Sequence, residues 1–432
     1  MVPKQSESLG EMVHAMQAGS MKRRIFLERA LALGLSSSAA AALLAACGGG
    51  PANGGAGGPI TLTLWDYFDP AGSGYLGLIS NYMKANPTIK IQRTAIPFAD
   101  LKQKLTQGAA SGQLPDIVVI DNPDHSAFAD LGVLADLTSQ ISAWGQADTY
   151  FPGPWKSTVW KSKNYGVPNN SNCLALYYNK DMFQQAGLMP PTTWDEMHSS
   201  SQKLAKSGRY GLSMSLVKSE EGTFQFLTFL WGAGADLNTI DSPEAVSALQ
   251  YLVTMVKENL LSSESLNWTQ QDAITQFIGQ KAAMCINGPW NLSATKQGAK
   301  FNWGVAPLPK GQQSVSILGG ENWAISKSSQ HMKEAWDFLQ WTQKPEQLKS
   351  YIIPDGRLPS NKALISDPAF QDPNLAVFVT ALGSARPRAY GPNYPKISNA
   401  VQQAFQSAVA GQMSAADALK QAAQTIQPLM AS

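Results

Sequence analysis

Four carboxylates stand at positions where chemistry is conceivable: Asp66 after ITLTLW, Asp121 after LPDIVVI, Glu220 in KSEEGT and Glu321 in GGENW. A glycan hydrolase needs two such groups flanking one bond at a set separation. Nothing in the spacing of these four pairs them, and no nucleophile elbow or histidine–carboxylate set accompanies them. The four histidines (His14, His125, His198 and His331) are scattered without metal-ligand spacing, so no metal or other cofactor is expected. What the chain does offer is rings beside polar groups. In AAMCINGPWNLSAT an apolar run breaks at Asn287-Gly288-Pro289 and delivers Trp290 onto a loop edge. The run WDYF places Trp65, Asp66, Tyr67 and Phe68 together in the same way. Rings cover apolar ligand surface, and carboxylates accept hydrogen bonds from hydroxyls. That combination suits binding, not bond cleavage.

These residues need elements to position them. ITLTLWDYF alternates like a strand, SGYLGLISNYMKANP has helical spacing and stops at Pro87, TIKIQRTAI is a strand, and FADLKQKLTQGAASG is a helix. LPDIVVIDN is a near-continuous apolar run of strand length, the mark of a buried parallel strand. Alternation of this kind predicts a doubly wound parallel sheet, whose ligands sit beyond the carboxyl ends of the strands. After YGVPNNSN a second unit follows. CLALYYN, RYGLSMSLV, AAMCING, FNWGVAPLP and LGGENWAIS read as strands. PPTTWDEMHSSSQKLAKSG reads as a helix with Thr193 and Glu196 in capping-box spacing and Gly208 as its stop, and Ser242-Pro243-Glu244 opens another.

The front of the chain is not fold. From Met21, MKRRIFLERALALGLSSSAAAALLAAC has a basic head, a weakly apolar middle and small residues before Cys47, the layout of an export signal. KRRIFLE resembles a twin-arginine signal, with a general secretory signal as the alternative. LLAAC resembles the lipobox of bacterial lipoproteins, which implies lipidation of Cys47. Residues 48–59, GGGPANGGAGGP, read as a flexible tether. Of the 33 basic and 31 acidic residues, five and three fall within residues 1–46, leaving 28 of each. A neutral mature chain argues against a nucleic-acid partner. The remaining length exceeds what one core usually supports, so two domains are expected. Cys173 and Cys285, both in apolar strands, read as buried free thiols, although pairing after export is open.

YGVPNNSNCLALYYNKDMF, KAAMCINGPWNL, WGVAPLPKG and LGGENWAISKSSQHMKEAWDFLQWTQKPEQ occur in an order and spacing that resembles the extracellular solute-binding proteins of bacterial ABC sugar transporters, the maltose-binding-protein-like family. The resemblance covers nearly all of 60–430. It implies an α/β, two-lobed periplasmic-binding-protein fold of type II, each lobe a mostly parallel sheet with helices on both faces, joined by hinge strands. Crossings are expected near 167–171, 306–310 and 357–361. That gives lobe one as 60–168 plus 310–356 and lobe two as 169–309 plus 357–432. By the same resemblance a carbohydrate is held in an interlobe cleft, the lobes close on it, and an ABC permease receives it. The protein is then a monomer, held outside the cytoplasmic membrane by lipidated Cys47, and not an enzyme.

The resemblance makes Trp290 a sugar platform, with Trp231 as a second platform or core. Trp65, Asp66 and Phe68 end the first strand, with Asp66 offered to hydroxyls. Asp121 and Asn122 follow the buried strand, while Asn170 and Ser171 occupy the first crossing. Glu220, Gly320, Glu321, Asn322, Arg357 and Tyr394 complete the expected lining. Structural alternatives stand beside these: a cap for Asp66, a turn for Asp121–Asn122, an ion pair for Arg357 and packing for Tyr394. A solute-binding protein for a polyamine or phosphodiester, or less readily a glycan-acting enzyme, is the competing function.

Overall fold

The computed structural model describes residues 59–69, 72–206 and 208–430. The export signal, Cys47 and the tether up to residue 58 lie outside the described residues. Internal contacts divide the chain into unit 1, which holds residues up to 169 together with 321–351, and unit 2, which holds 170–320 and 352–432. The chain thus changes unit at 169/170, 320/321 and 351/352. Residues 310–320 fall in unit 2, not with the first lobe as expected, because their hydrogen bonds lie there. The amide of Lys310 donates to the Thr192 carbonyl at 2.9 Å, and that of Trp194 donates to the Lys310 carbonyl at 3.0 Å. Gln313 Nε2 donates to the Trp231 carbonyl at 2.6 Å.

The strands in chain order are β1 (Ile60–Asp66), β2 (Ile89–Ala95), β3 (Ile117–Asp121), β4 (Val159–Trp160), β5 (Lys163–Asn164), β6 (Val167–Asn172), β7 (Ala175–Asn179), β8 (Tyr210–Ser213), β9 (Ala282–Asn287), β10 (Trp303–Ala306), β11 (Ile317–Ile325) and β12 (Arg386–Pro387). In unit 1, β1 lies between β2 and β3, parallel to both, and the Glu321–Ile325 part of β11 runs antiparallel to β3. Every residue of β3 is buried, as its unbroken apolar run requires of a strand with neighbours on both sides. β1 alternates instead: Leu62, Leu64 and Asp66 are buried, while Thr63 and Trp65 are half-buried.

In unit 2 the order is β10-β7-β9-β8. β10–β7 and β7–β9 are antiparallel and only β8–β9 is parallel. The mostly parallel pattern expected of each lobe therefore describes unit 1; unit 2 is mixed. The core of unit 2 is larger, with Trp231, Phe226, Phe277 and Leu249 among its buried side chains, and Cys173 and Cys285 are free and buried. The helix Trp194–Leu204 is capped by Thr193 Oγ1, which accepts from the Glu196 amide at 3.2 Å. Its capping box is shifted by one residue. The Glu196 carboxylate reaches Thr192, at 2.7 Å to both amide and hydroxyl, and not Thr193. The helix also stops before Gly208, which has φ +75° in the turn beyond it. Ser242 caps Pro243–Lys257 as expected, through the Ala245 amide at 3.3 Å. Among the described residues no helix is long and apolar enough to cross a membrane.

Candidate functional site

Each unit presents its own candidate surface. In unit 1 it lies at the carboxyl ends of β1 and β3, where an open α/β sheet places ligands. Tyr67, half-buried just past β1, donates its hydroxyl to Glu321 Oε1 at 3.0 Å and sets its ring edge-on against Phe98, with centroids 4.9 Å apart. Glu321 faces Asp121 as its cross-strand partner on β3. Trp65 is half-buried, with the Lys104 ammonium 4.9 Å from its ring centre. Asn122 opens the helix Asn122–Asp130, in which Asp124 pairs with Lys102 at 2.9 Å. A phenol, carboxylates and a ring within one group of strand ends can accept hydroxyls and cover an apolar face.

Three neighbours in the same region are committed elsewhere. Asp66 is fully buried, and both its oxygens are held by Arg93 at 2.7 Å, with the Phe68 amide adding a bond at 2.9 Å. Burial disfavours the Arg93 charge, but the hydrogen bonds and charge of Asp66 outweigh it and the guanidinium pKa is raised. Asp66 is therefore a structural ion-pair partner, which corrects its expected role as a hydroxyl acceptor. Phe68 is likewise core: its ring packs edge-on against Tyr75 at 4.7 Å. Asn322 is buried and exchanges hydrogen bonds with the Ser157 hydroxyl, one of them at 2.9 Å.

In unit 2 the surface is built around Trp290. At the end of β9, Asn287 Oδ1 accepts from the Gly288 amide at 2.9 Å and from Asn291 Nδ2 at 2.8 Å. Tyr177 pins the same turn by donating to the Gly288 carbonyl at 2.7 Å. The six-membered ring of Trp290 lies over Gly288: a Cβ at residue 288 would meet ring atoms at 1.9–2.4 Å, so only glycine fits. One face of the indole is thereby seated, and the side chain remains half-buried. Phe224 stands beside it, with ring centroids 6.4 Å apart. Gly356, at φ +61°, lets its loop pass against the Pro289 carbonyl and brings half-buried Arg357 next to the turn. Gly320, at φ +131°, lies against the Asn170 carbonyl, where a Cβ would come within 2.3 Å. Asn170 is itself buried.

Four other expected residues of unit 2 are internal. Glu220 is buried and accepts from Arg388 Nη1 and the Tyr394 hydroxyl, both at 2.5 Å, and from the Ser398 hydroxyl. Glu220 and Tyr394 thus satisfy each other in place of a ligand. Trp231 is fully buried: its indole N–H donates to the Tyr390 hydroxyl at 3.2 Å, and Arg386 covers its ring at 4.7 Å. Ser171 is tied through both backbone groups to Leu358 and through its hydroxyl to Ser360 at 2.9 Å. All four side chains are occupied within the fold, with Trp231 and Tyr394 taking the core and packing alternatives, and most of the partners are remote in sequence. Tyr67 and Phe224 were missed. Alternation in β1 pointed to Tyr67, whereas nothing local marks Phe224 inside its apolar helix.

This fold and these surfaces define a binding protein of the exported solute-capture class. The chain belongs to the bacterial extracellular solute-binding proteins, whose match spans residues 77–377. A multiple sugar-binding protein of Streptococcus mutans is 27% identical over 299 residues, covering 65% of this chain and 70% of its own. The galactooligosaccharide-binding protein of Bacillus subtilis is 23% identical over 351 residues, covering 78% and 82%. Among solved structures, an ABC transporter solute-binding protein of Thermotoga lettingae bound with α-D-tagatose superposes with TM-score 0.81 at 25% identity, over 86% of this chain and 100% of that one. Maltose-bound MalE3 of T. maritima gives 0.79 at 25% identity, with the same coverage. The fold is the two-lobed type II periplasmic-binding architecture. These relatives are binding proteins, not enzymes.

Proposed function

We propose that the chain captures a mono- or oligosaccharide outside the cell and hands it to an ABC permease without chemical change. The observation that carries this reading is Trp290, held by a turn in which each neighbour is fixed and left half-buried beside Phe224. Sugars present C–H faces that lie flat on such rings, and their hydroxyls pair with polar side chains around the edge. Relatives that bind several sugars, galactooligosaccharides, maltose and tagatose support the ligand class.

The same reading takes residues 1–46 as an export signal, Cys47 as the lipidated first residue of the mature chain and the units as the two lobes. Two experiments test it. The mature protein is titrated with maltose, mannobiose, galactobiose and D-tagatose by calorimetry and tryptophan fluorescence. Saturable binding of at least one is expected, and silence toward all four refutes the sugar reading. In cells, Cys47→Ala is expected to shift the protein from the membrane to the soluble fraction, and unchanged membrane retention refutes the anchor.

A further inference from the structure

Asn172, the last residue of β6, was not among the expected ligand residues. Its side chain is 6% exposed, and Oδ1 has no hydrogen-bond partner among the described residues. An unmet buried amide oxygen costs roughly 1–3 kcal/mol, so its position needs a reason. The surroundings supply one. Oδ1 occupies the space that a side chain at Gly319 would fill: a Cβ there would lie 2.0 Å from it. The tip of Phe224 borders the same space, 2.9 Å from that Cβ position. Phe224, itself buried, is in turn the ring beside Trp290, and the Arg388 guanidinium, which Glu220 holds in place, lies over its ring at 4.6 Å. The glycine at 319 therefore makes room for an amide at the edge of the aromatic pair, and the buried ion pair behind Phe224 keeps that edge rigid.

We propose that the Asn172 amide is a specificity-determining group that pairs with one hydroxyl of the sugar lying on Trp290. The inference rests on the sugar reading above. An amide both accepts and donates, so it matches a hydroxyl, which does the same. A cation would instead seek a carboxylate, and the one behind Phe224, Glu220, is already neutralised by Arg388. The Trp290 ring fixes the plane of the sugar, and the amide beside buried Phe224 then selects which hydroxyl configuration can be met.

The test uses the mature protein and the sugar of the four-member panel that it binds most tightly, together with the monodeoxy analogues of that sugar. Asn172→Ala is expected to weaken binding by about 3–10-fold, the range of one neutral hydrogen bond. One monodeoxy analogue should bind the parent more weakly by a similar factor and lose nothing further in Asn172→Ala, while each of the other analogues should weaken by the full factor on going from the parent to Asn172→Ala. Without ligand, the urea midpoint of Asn172→Ala should equal or exceed the parent's, because the amide it removes has no partner in the fold. A structural role for the amide predicts a lower midpoint. Gly319→Ala, which pushes a methyl into the amide's space, should reproduce the weakening with Asn172 still present. If the parent binds a sugar and Asn172→Ala binds every analogue as the parent does, the assignment falls alone. If the parent binds no sugar of the panel, the assignment falls with the sugar reading.

Discussion

Replacing Trp290 by alanine removes the platform while leaving its support intact. The turn is held by Asn287, Asn291 and Tyr177, none of which bonds to the indole. One ring face is already spent on Gly288. The other face offers about 100 Å² of apolar surface, worth about 2.5 kcal/mol at ~25 cal/mol/Å². At 1.4 kcal/mol per tenfold, that is a rise in Kd of about 60-fold. Trp290→Phe keeps part of the area and should fall between the two. Calorimetry with the tightest sugar of the panel reads the effect, and urea unfolding without ligand serves as the control. The fold should lose little, on the order of 1 kcal/mol for a half-exposed ring. A Trp290→Ala protein that unfolds at the parent's midpoint and binds within threefold of the parent would refute the stacking argument.

Three further outcomes are expected. Arg93→Met strands the fully buried Asp66 carboxylate and should cost about 3–5 kcal/mol in urea unfolding, with sugar affinity of the folded protein within twofold; the double variant with Asp66→Asn should regain most of it, and lost affinity at full stability would return Asp66 to the ligand. Burial holds the His125 imidazole down at about 3, and neither ring nitrogen has a hydrogen-bond partner among the described residues. An unfolded imidazole titrates near 6.5, so below that pH the unfolded chain binds a proton that the folded chain refuses, and stability present above 6.5 is lost toward pH 3 at up to about 1.4 kcal/mol per pH unit. His125→Asn should flatten the urea-midpoint slope between about pH 6 and 4, and parallel slopes would overturn this account. Finally, burial raises the thiol pKa of both Cys173 and Cys285, so neither should react with an alkylating reagent until the chain is unfolded in urea. Mass spectrometry of the native protein checks it, and fast labelling of either would contradict their placement.

The group expected to make stability depend on pH is one that the sequence presents as an unremarkable histidine. His125 sits two residues after Pro123 in a helix start, and nothing near it in the chain says that it is buried. Its burial follows from Gly166, where a Cβ would come within 2.7 Å of the imidazole and 2.2 Å of the Trp323 carbonyl. Contacts of that kind join segments remote in sequence, and they decide which polar groups are spent inside the fold.

Local patterns determined much by themselves. The alternation of β1, the unbroken apolar run of β3 and the Asn-Gly-Pro break that carries Trp290 are set by periodicity and turn chemistry, which act over a few residues. The order of strands and helices in unit 1 follows from them, as does the place of the candidate surface beyond the strand ends. What the tertiary structure alone decided is which candidates remain available. Asp66 is taken by Arg93 from the neighbouring strand, and Glu220 by Arg388 and Tyr394 from more than 160 residues away. The mixed sheet of unit 2 depends on pairing direction, which periodicity does not encode. A charge or ring looks the same in sequence whether its partner is a ligand or another side chain. Only the folded chain, by bringing those partners together or leaving them apart, separates the two.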